Sequence, residues 1–393
     1  MDVYYHPLSR EIFEDPYPVY RKLRDHAPVY YCKDVGMWVV SRFDDVWNAL
    51  RDHETYCSRF GPAIENPDED GRKYSIVSMD PPRHEQVRSI LSRHFTPGRI
   101  AALEPAVRAI VCEHLDPLRP GTIVDAAAQI ANPIPSDVIG LLLAVPTKDR
   151  AQLREWWDTF LAREEGQVEV PRAAVAASRK ISDYIQGLIE ERRRKPGEDM
   201  ISLICHGDPT TSDGSLLEMS DNDVLMFCNL MAAAGSETTV KLIGNALCAL
   251  AEHAAERDRI FADPGLIKPA VDEALRYDTP SHYVARVTTR DVELHGVKIP
   301  QGSWVYLLLG SANRDEREYP DPDAFLADRR RRRNVFFGSG RHICLGQFLA
   351  RLELQVVLEE FARRFPGYRV IEGSERRVLT ATVRGLARFE LEL

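Results

Sequence analysis

The chain of 393 residues has no two cysteines spaced as C-x-x-C; its seven, at positions 32, 57, 112, 205, 228, 248 and 344, stand singly. An odd set of isolated thiols offers neither a disulfide framework nor a zinc ribbon, and it suits a reducing cytoplasm. Long apolar runs are missing too. Stretches such as 138–145 and 304–310 fall far short of the ~20 residues that cross a bilayer. The first twenty residues, MDVYYHPLSREIFEDPYPVY, lack the basic segment and apolar core of a secretion signal. Nor is there an excess of positive charge: the formal net charge of −9 speaks against a general nucleic-acid binder. No repeat or long linker divides the chain. The expectation is a soluble cytoplasmic protein, monomeric, with one domain spanning 1–393.

What is present is mostly helical. Amphipathic patterns run over 43–52, 83–95, 99–115, 134–143, 148–163 and 173–194, the second opened by Pro81-Pro82, a pair suited to a first helical turn. Strand signals are fewer: 29–32 with 37–41, then 285–289, 292–294, 297–299 and 304–309, and a terminal hairpin over 377–382 and 386–391. The predicted class is therefore mainly α with small β-sheets (α+β), the β-rich part lying near 26–42, 283–310 and 377–392. Polar stretches at 61–73, 195–199 and 206–215 read as loops, the first as an entrance.

One helix stands apart. From Ser220 to about Arg257 there is no proline, and Ser220 with Asp223 forms a plausible cap. Such a helix would be roughly 55 Å long. Its middle, Leu230-Met-Ala-Ala-Ala-Gly235, has no polar side chain and should be buried. Ser236-Glu-Thr-Thr239 follows at once; the hydroxyl-bearing residues are poor helix formers. A local break with a threonine hydroxyl turned inward is the expectation there.

The chemistry concentrates in Phe336-Phe-Gly-Ser-Gly-Arg-His-Ile-Cys-Leu-Gly346, which from Phe337 reads F-x-x-G-x-H-x-C-x-G. Cys344 stands just before a helix, where free amides and the helix dipole favour an anion, so a thiolate is expected. Gly338, Gly340 and Gly346 leave room for something flat to approach the backbone. A dinucleotide loop does not fit, because the third glycine comes eight residues after the first where five are needed. His342 is badly placed as the base of a cysteine hydrolase, and a zinc site would need two more ligands nearby. Haem iron held by a cysteine is the remaining reading.

At this point the chain resembles the cytochromes P450 of the soluble bacterial type, essentially end to end. The likeness is carried by Asp15-Pro-Tyr-Pro18, Met79-Asp-Pro-Pro-Arg-His84 with Arg88, and Ala234-Gly-Ser-Glu-Thr238. It continues through Glu273-Ala-Leu-Arg276, Ala312-Asn-Arg-Asp315 and the cysteine loop, with Thr238 lying 106 residues and Arg276 68 residues before Cys344. The resemblance implies a cytochrome P450 fold, with haem b between the long helix and the helix after the cysteine loop.

The resemblance also assigns roles. Cys344 would ligate the iron, Phe337 would shield its sulfur, and the Leu345 and Gly346 amides would hydrogen-bond it. Gly338, Gly340 and Gly346 would let the loop pass under the macrocycle, with Ala234 on its other side. His84, Arg88, Arg286 and His342 would bind the propionates, while Glu273 and Arg276, joined by Arg329, would form a buried structural cluster. Glu237 and Thr238 would deliver protons during O2 activation. Electrons would come from NAD(P)H through a reductase and an acidic ferredoxin, docking near Arg93, Arg330, Arg331, Arg332, Arg333 and Arg341.

The implied reaction inserts one oxygen atom of O2 into a hydrophobic molecule such as a terpenoid, steroid, macrolide or polyaromatic. Substrate contacts would come from Val77, Ala232, Ala233, Tyr283, Val284, Thr382 and Val383, with Tyr283 and His282 each read either as one polar anchor or, equally, as a satisfied wall residue. Two rivals are weaker. A peroxide-using haem-thiolate enzyme commonly lacks the acid–threonine pair that stands here, and a haem-binding sensor would need a segment for its effector.

Overall fold

A computed structural model describes residues 3–62, 74–161, 171–330, 333–377 and 383–393. Five helices build the framework around the cysteine loop: α1 (Arg83–Ser92), α2 (Pro133–Leu142), α3 (Asp221–Glu252), α4 (Ile267–Tyr277) and α5 (Gln347–Arg364). The expected helix over 99–115 is two helices, Pro97–Ala101 and Glu104–Leu115.

The long helix α3 has 32 residues, about 48 Å at 1.5 Å per residue. Its start is a capping box: the Asp223 amide donates to Ser220 Oγ (3.2 Å) and the Ser220 amide to Asp223 Oδ2 (3.0 Å). It ends sooner than the expected Arg257. His253 leaves helical backbone (φ −107°, ψ 54°), and its amide and Nδ1 both reach the Ala249 carbonyl, at 3.0 and 2.9 Å. A separate helix, Ala254–Ala262, follows. The expected break near Thr238 does not occur. Thr238 and Thr239 hydroxyls donate to the carbonyls of Ala234 (2.5 Å) and Gly235 (2.9 Å), so they ride on the helical ladder without opening it.

Helix α3 packs against α2, α4, α5 and the helix Arg172–Arg194. Ile243, Leu247 and Leu250 of α3 and Leu354, Val357 and Phe361 of α5 are all fully buried in the main core, each such side chain contributing roughly 1.5–3 kcal/mol.

The larger sheet contains β1 (Val29–Cys32), β2 (Met37–Val40), β3 (Tyr56–Cys57), β4 (Val284–Thr288) and β5 (Trp304–Leu307), ordered β1-β2-β5-β4-β3. Only the β2–β5 pairing is parallel. Arg286 of β4 stands opposite Val305. The terminal segment Leu386–Arg388 pairs with Arg376–Arg377, while residues 378–382 of the expected hairpin lie outside the described residues. A small sheet that no local pattern announced joins Ile123–Asp125, Glu390–Glu392 and Arg369–Val370.

Glu273 and Arg276, one turn apart on α4, have fully buried side chains. Arg276 Nε and Nη2 donate to the two carboxylate oxygens at 3.0 and 2.8 Å. Arg329 Nε (3.1 Å) and the Leu326 amide (3.0 Å) donate to Oε1 as well. The remaining guanidinium donors of Arg276 reach the carbonyls of Asn313, Pro322 and Ala324. Burial raises the Glu273 pKa, yet its hydrogen bonds and charge pairing with Arg276 outweigh that, so the carboxyl is held below its ordinary range.

Candidate functional site

The loop 336–346 is tied to itself before α5 begins. The Cys344 amide donates to the Phe337 carbonyl (2.9 Å), the Ile343 amide to Gly340 (3.2 Å) and the Gly338 amide to Val335 (2.8 Å). Gly340 has φ +70°, and a Cβ there would lie 2.8 Å from the Leu50 carbonyl oxygen. Its glycine is thus demanded by the helix Phe43–Arg51 pressing on the loop, a tertiary contact that no local pattern reveals.

Cys344 is exposed to solvent in the polypeptide. Burial pushes its thiol up, and the Gly346 amide with the charges of Arg88 and Arg351 only partly reverses this. In the polypeptide alone the balance leans toward the thiol. A cationic metal at the sulfur would tip the balance, since a coordinated thiol is deprotonated outright.

Beside the cysteine lies a cluster of cations and imidazoles. His84 of α1 is 1% exposed, and its ring centroid is 4.0 Å from that of His342. Neither ring nitrogen of His84 nor Nε2 of His342 has a hydrogen-bond partner. Arg88, one turn along α1, donates to the Ile343 carbonyl at 2.6 Å. Buried Arg286 donates to the Ala285 carbonyl at 2.7 Å. Among the described residues no carboxylate lies within ion-pair distance of Arg88 or Arg286.

Burial, then repulsion from Arg88, Arg341 and Arg286, pushes His84 down to about 4. Burial, then repulsion from Arg286, His84 and Arg88, pushes His342 down to about 2. Burial also lowers Arg286 to about 10. Buried donors without acceptors are costly. This set fits carboxylate groups, and with Cys344 it fits a flat, dianionic, metal-bearing group such as haem.

Helix α3 shows two faces. Buried Ala232 turns toward α2, lining a cavity of about 30 Å³ with Ile139, Trp157 and Ser236. On that side a Cβ at Gly235 would meet Ile139 Cδ1 at 2.9 Å, and Ser236 and Ser136 hydroxyls bond at 3.0 Å. Ala234 is exposed and Thr238, one turn later, half-buried; Ala233 and Glu237 are also half-buried. The apolar middle is thus not uniformly buried. Ala232 also falls on the wrong face for a substrate contact, because each helical residue turns ~100°.

Other expected contacts separate in the same way. Val77 and Val284 are half-buried, and Val383, buried, bridges Ser281. Tyr283 is 6% exposed and stacked on Tyr306 at 4.2 Å, and buried His282 bonds the Tyr20 hydroxyl at 3.0 Å. Both expected anchors are core residues, held there by aromatic packing. Thr382 and nearly all of the entrance loop at 61–73 lie outside the described residues.

Of the four docking arginines among the described residues, three are engaged. Arg93 pairs with Asp208 at 3.2 Å, Arg333 with Asp44 at 2.8 Å and Glu318 at 2.5 Å, and Arg341 with Glu85. Arg330 is exposed; Arg331 and Arg332 lie outside the described residues. One neighbour of the cysteine loop escaped sequence reading: Arg351, whose guanidinium lies over the Phe337 ring. Its position seven residues after Cys344, in the first turns of α5, was the available signal.

The family model described as cytochrome P450 matches residues 265–374, which include α4 and the cysteine loop. Over its length the chain is 39% identical to the protein designated cytochrome P450 123 in Mycobacterium tuberculosis, covering 98% of this chain and 96% of that one. It is 35% identical to the cyclomarin C epoxidase CymV of Salinispora arenicola, covering 88% and 87%. The fold superposes with a TM-score of 0.87 on Bacillus megaterium CYP109E1 solved in complex with testosterone, at 28% identity and 98% and 99% coverage. Among the described residues no helix is long and apolar enough to cross a membrane.

Proposed function

The chain belongs to the cytochrome P450 family and is a haem monooxygenase, and from this premise we propose how its own residues do the work. Cys344 ligates the iron of haem b, Phe337 covers the sulfur, and the Gly346 amide bonds it. His84, Arg88, Arg286 and His342 hold the propionates, with the whole of 1–393 acting as one domain. The observation that carries this reading is the cluster beside Cys344 of imidazole nitrogens without partners (both of His84 and Nε2 of His342) and of two guanidiniums, Arg88 and Arg286, that meet carbonyls and, among the described residues, no carboxylate. When bound, haem supplies the one-electron and O2 chemistry, and a thiolate ligand favours O–O cleavage.

The chain's part is to bind, orient and move protons. The Thr238 hydroxyl spends its hydrogen on the Ala234 carbonyl, so its oxygen is left to accept from a water on the open face of α3. Glu237, half-buried beside it, exchanges a proton between that water and bulk. Ala233, Ala234, Val77, Val284 and Val383 supply small apolar walls, which favours a bulky hydrophobic substrate. Relatives solved with testosterone and with erythromycin B support that class. Electrons arrive from an acidic ferredoxin steered by exposed Arg330.

The test is spectroscopic. The purified protein is expected to give a ferrous–CO Soret band strongly shifted to the red, and Cys344→Ala to lose it. An imidazole-type band in the unaltered protein would sink the assignment of Cys344. Thr238→Ala is expected to uncouple NAD(P)H consumption from product; unchanged coupling removes Thr238 from proton delivery.

A further inference from the structure

Arg351 is a guanidinium beside the cysteine loop that is held on three sides by its own protein. Its Nε donates to Asp272 Oδ1 of α4 at 2.7 Å, and its Nη1 reaches the Gln347 carbonyl and side-chain oxygen, each at 3.2 Å. The guanidinium carbon lies 4.6 Å from the centroid of Phe337 and 5.8 Å from that of Phe336. Phe337 is the residue whose carbonyl receives the Cys344 amide. Long helical side chains point back toward the N-terminus, so an arginine one turn into α5 covers the loop before it. Arg88 braces the same loop from α1 through the Ile343 carbonyl. Two permanent charges therefore flank the cysteine, one from each side.

We propose that Arg351 is a positioning and tuning residue for the thiolate ligand, its fixed charge over Phe337 restraining electron donation from Cys344, with Asp272 setting how much of that charge is felt. A cation beside an anionic ligand favours the state with one more electron on the metal. Planar stacking on the ring holds the charge in place, and an ammonium would keep the charge without the stacking. Asp272 opposes the effect because it pairs with the same guanidinium. The pair is only partly buried, at 27% and 33% side-chain exposure.

This inference rests on Cys344 being the iron ligand, and the experiment keeps the two apart. The holoenzyme is prepared as wild type, Arg351→Gln, Arg351→Lys and Asp272→Asn, and the ferric/ferrous midpoint potential and ferrous–CO spectrum are measured for each. Arg351→Gln is expected to shift the equilibrium toward ferric by about tenfold, which for one electron is 59 mV. Arg351→Lys should retain most of the wild-type value, and Asp272→Asn should move it the opposite way. A structural role alone would send all three in one direction, with growth of an inactive CO band; that result, or an unmoved potential in Arg351→Gln, overturns the proposal. If Arg351→Gln fails to retain haem, the sign of the Asp272→Asn shift decides. A wild-type CO band of the imidazole type would reject the ligand assignment itself.

Discussion

The buried charged cluster around Glu273 and the one around His84 are built on opposite principles. Around Glu273 the carboxylate meets donors from Arg276, Arg329 and the Leu326 amide, and the spare donors of Arg276 meet carbonyls. Around His84 the donors outnumber the acceptors: among the described residues both His84 nitrogens and His342 Nε2 have no partner, and Arg88 and Arg286 have carbonyl partners only. The first cluster is complete as polypeptide. The second is complete only with an anion from outside. Electrostatic self-sufficiency marks a scaffold, and an unmet demand marks a binding site.

The largest consequence falls on the first cluster. Glu273→Ala leaves Arg276 buried without its carboxylate, and breaking such a pair costs about 3–5 kcal/mol. Urea unfolding should show that loss in the haem-free and haem-loaded protein alike. A change below about 1 kcal/mol would mean that the carbonyls alone satisfy Arg276 and that the contrast is overdrawn.

Next in size is a pH effect on the second cluster. His84 in the folded chain titrates at about 4, against an unfolded value of about 6.5. Above about pH 6.5 neither state binds the proton, so the group is neutral to stability. As pH falls toward 4 the unfolded chain takes up a proton that the folded chain refuses, and stability falls, by on the order of 3 kcal/mol at most. Buried His282, also held at about 4, and His342, held at about 2, add slopes of the same sign, so the diagnostic is a difference. His84→Leu should flatten the haem-free profile between about pH 6.5 and 4, and bound haem should flatten it in the wild type. Equal slopes in haem-free wild type and His84→Leu would show that His84 is not the group resisting protonation.

The contrast between the clusters also sorts what could be read from the sequence. The helical class, the capped start of α3, the E-x-x-R pair and the residues gathered around Cys344 were all legible, because each is a local pattern or a motif in order. The open face of α3 was not, since Ala232 and Ala234 are chemically identical and only packing against Ile139 separates them. Tyr283 reads as a polar anchor until Tyr306, 23 residues on, is found stacked on it.

Arg286→Met offers a third separation of the clusters. Removing a buried cation that lacks a carboxylate should leave haem-free stability unchanged or raised. Haem should bind more weakly, because a hydrogen bond to a charged group contributes about 1.5–3 kcal/mol, roughly tenfold or more in affinity. Haem transfer to an acceptor protein, timed against the wild type, measures this. Lower haem-free stability with unchanged haem retention would place Arg286 in the scaffold class beside Arg276.

The smallest effect belongs to the surface. Arg93, Arg333 and Arg341 each have an acidic partner within the chain, and by the same logic their charge is largely spent. Arg330 is exposed in the segment leading to the cysteine loop, so its field reaches solvent. Arg330→Glu should leave the unfolding free energy within about 0.5 kcal/mol of wild type. It should slow reduction by an acidic ferredoxin several-fold at low ionic strength, because rim charges act on encounter rates and are screened by salt. The difference should shrink as salt is added, while Arg93→Glu should cost stability before it costs rate. A reduction rate indifferent to Arg330→Glu at every salt concentration would move the electron donor's footprint away from this edge of the molecule.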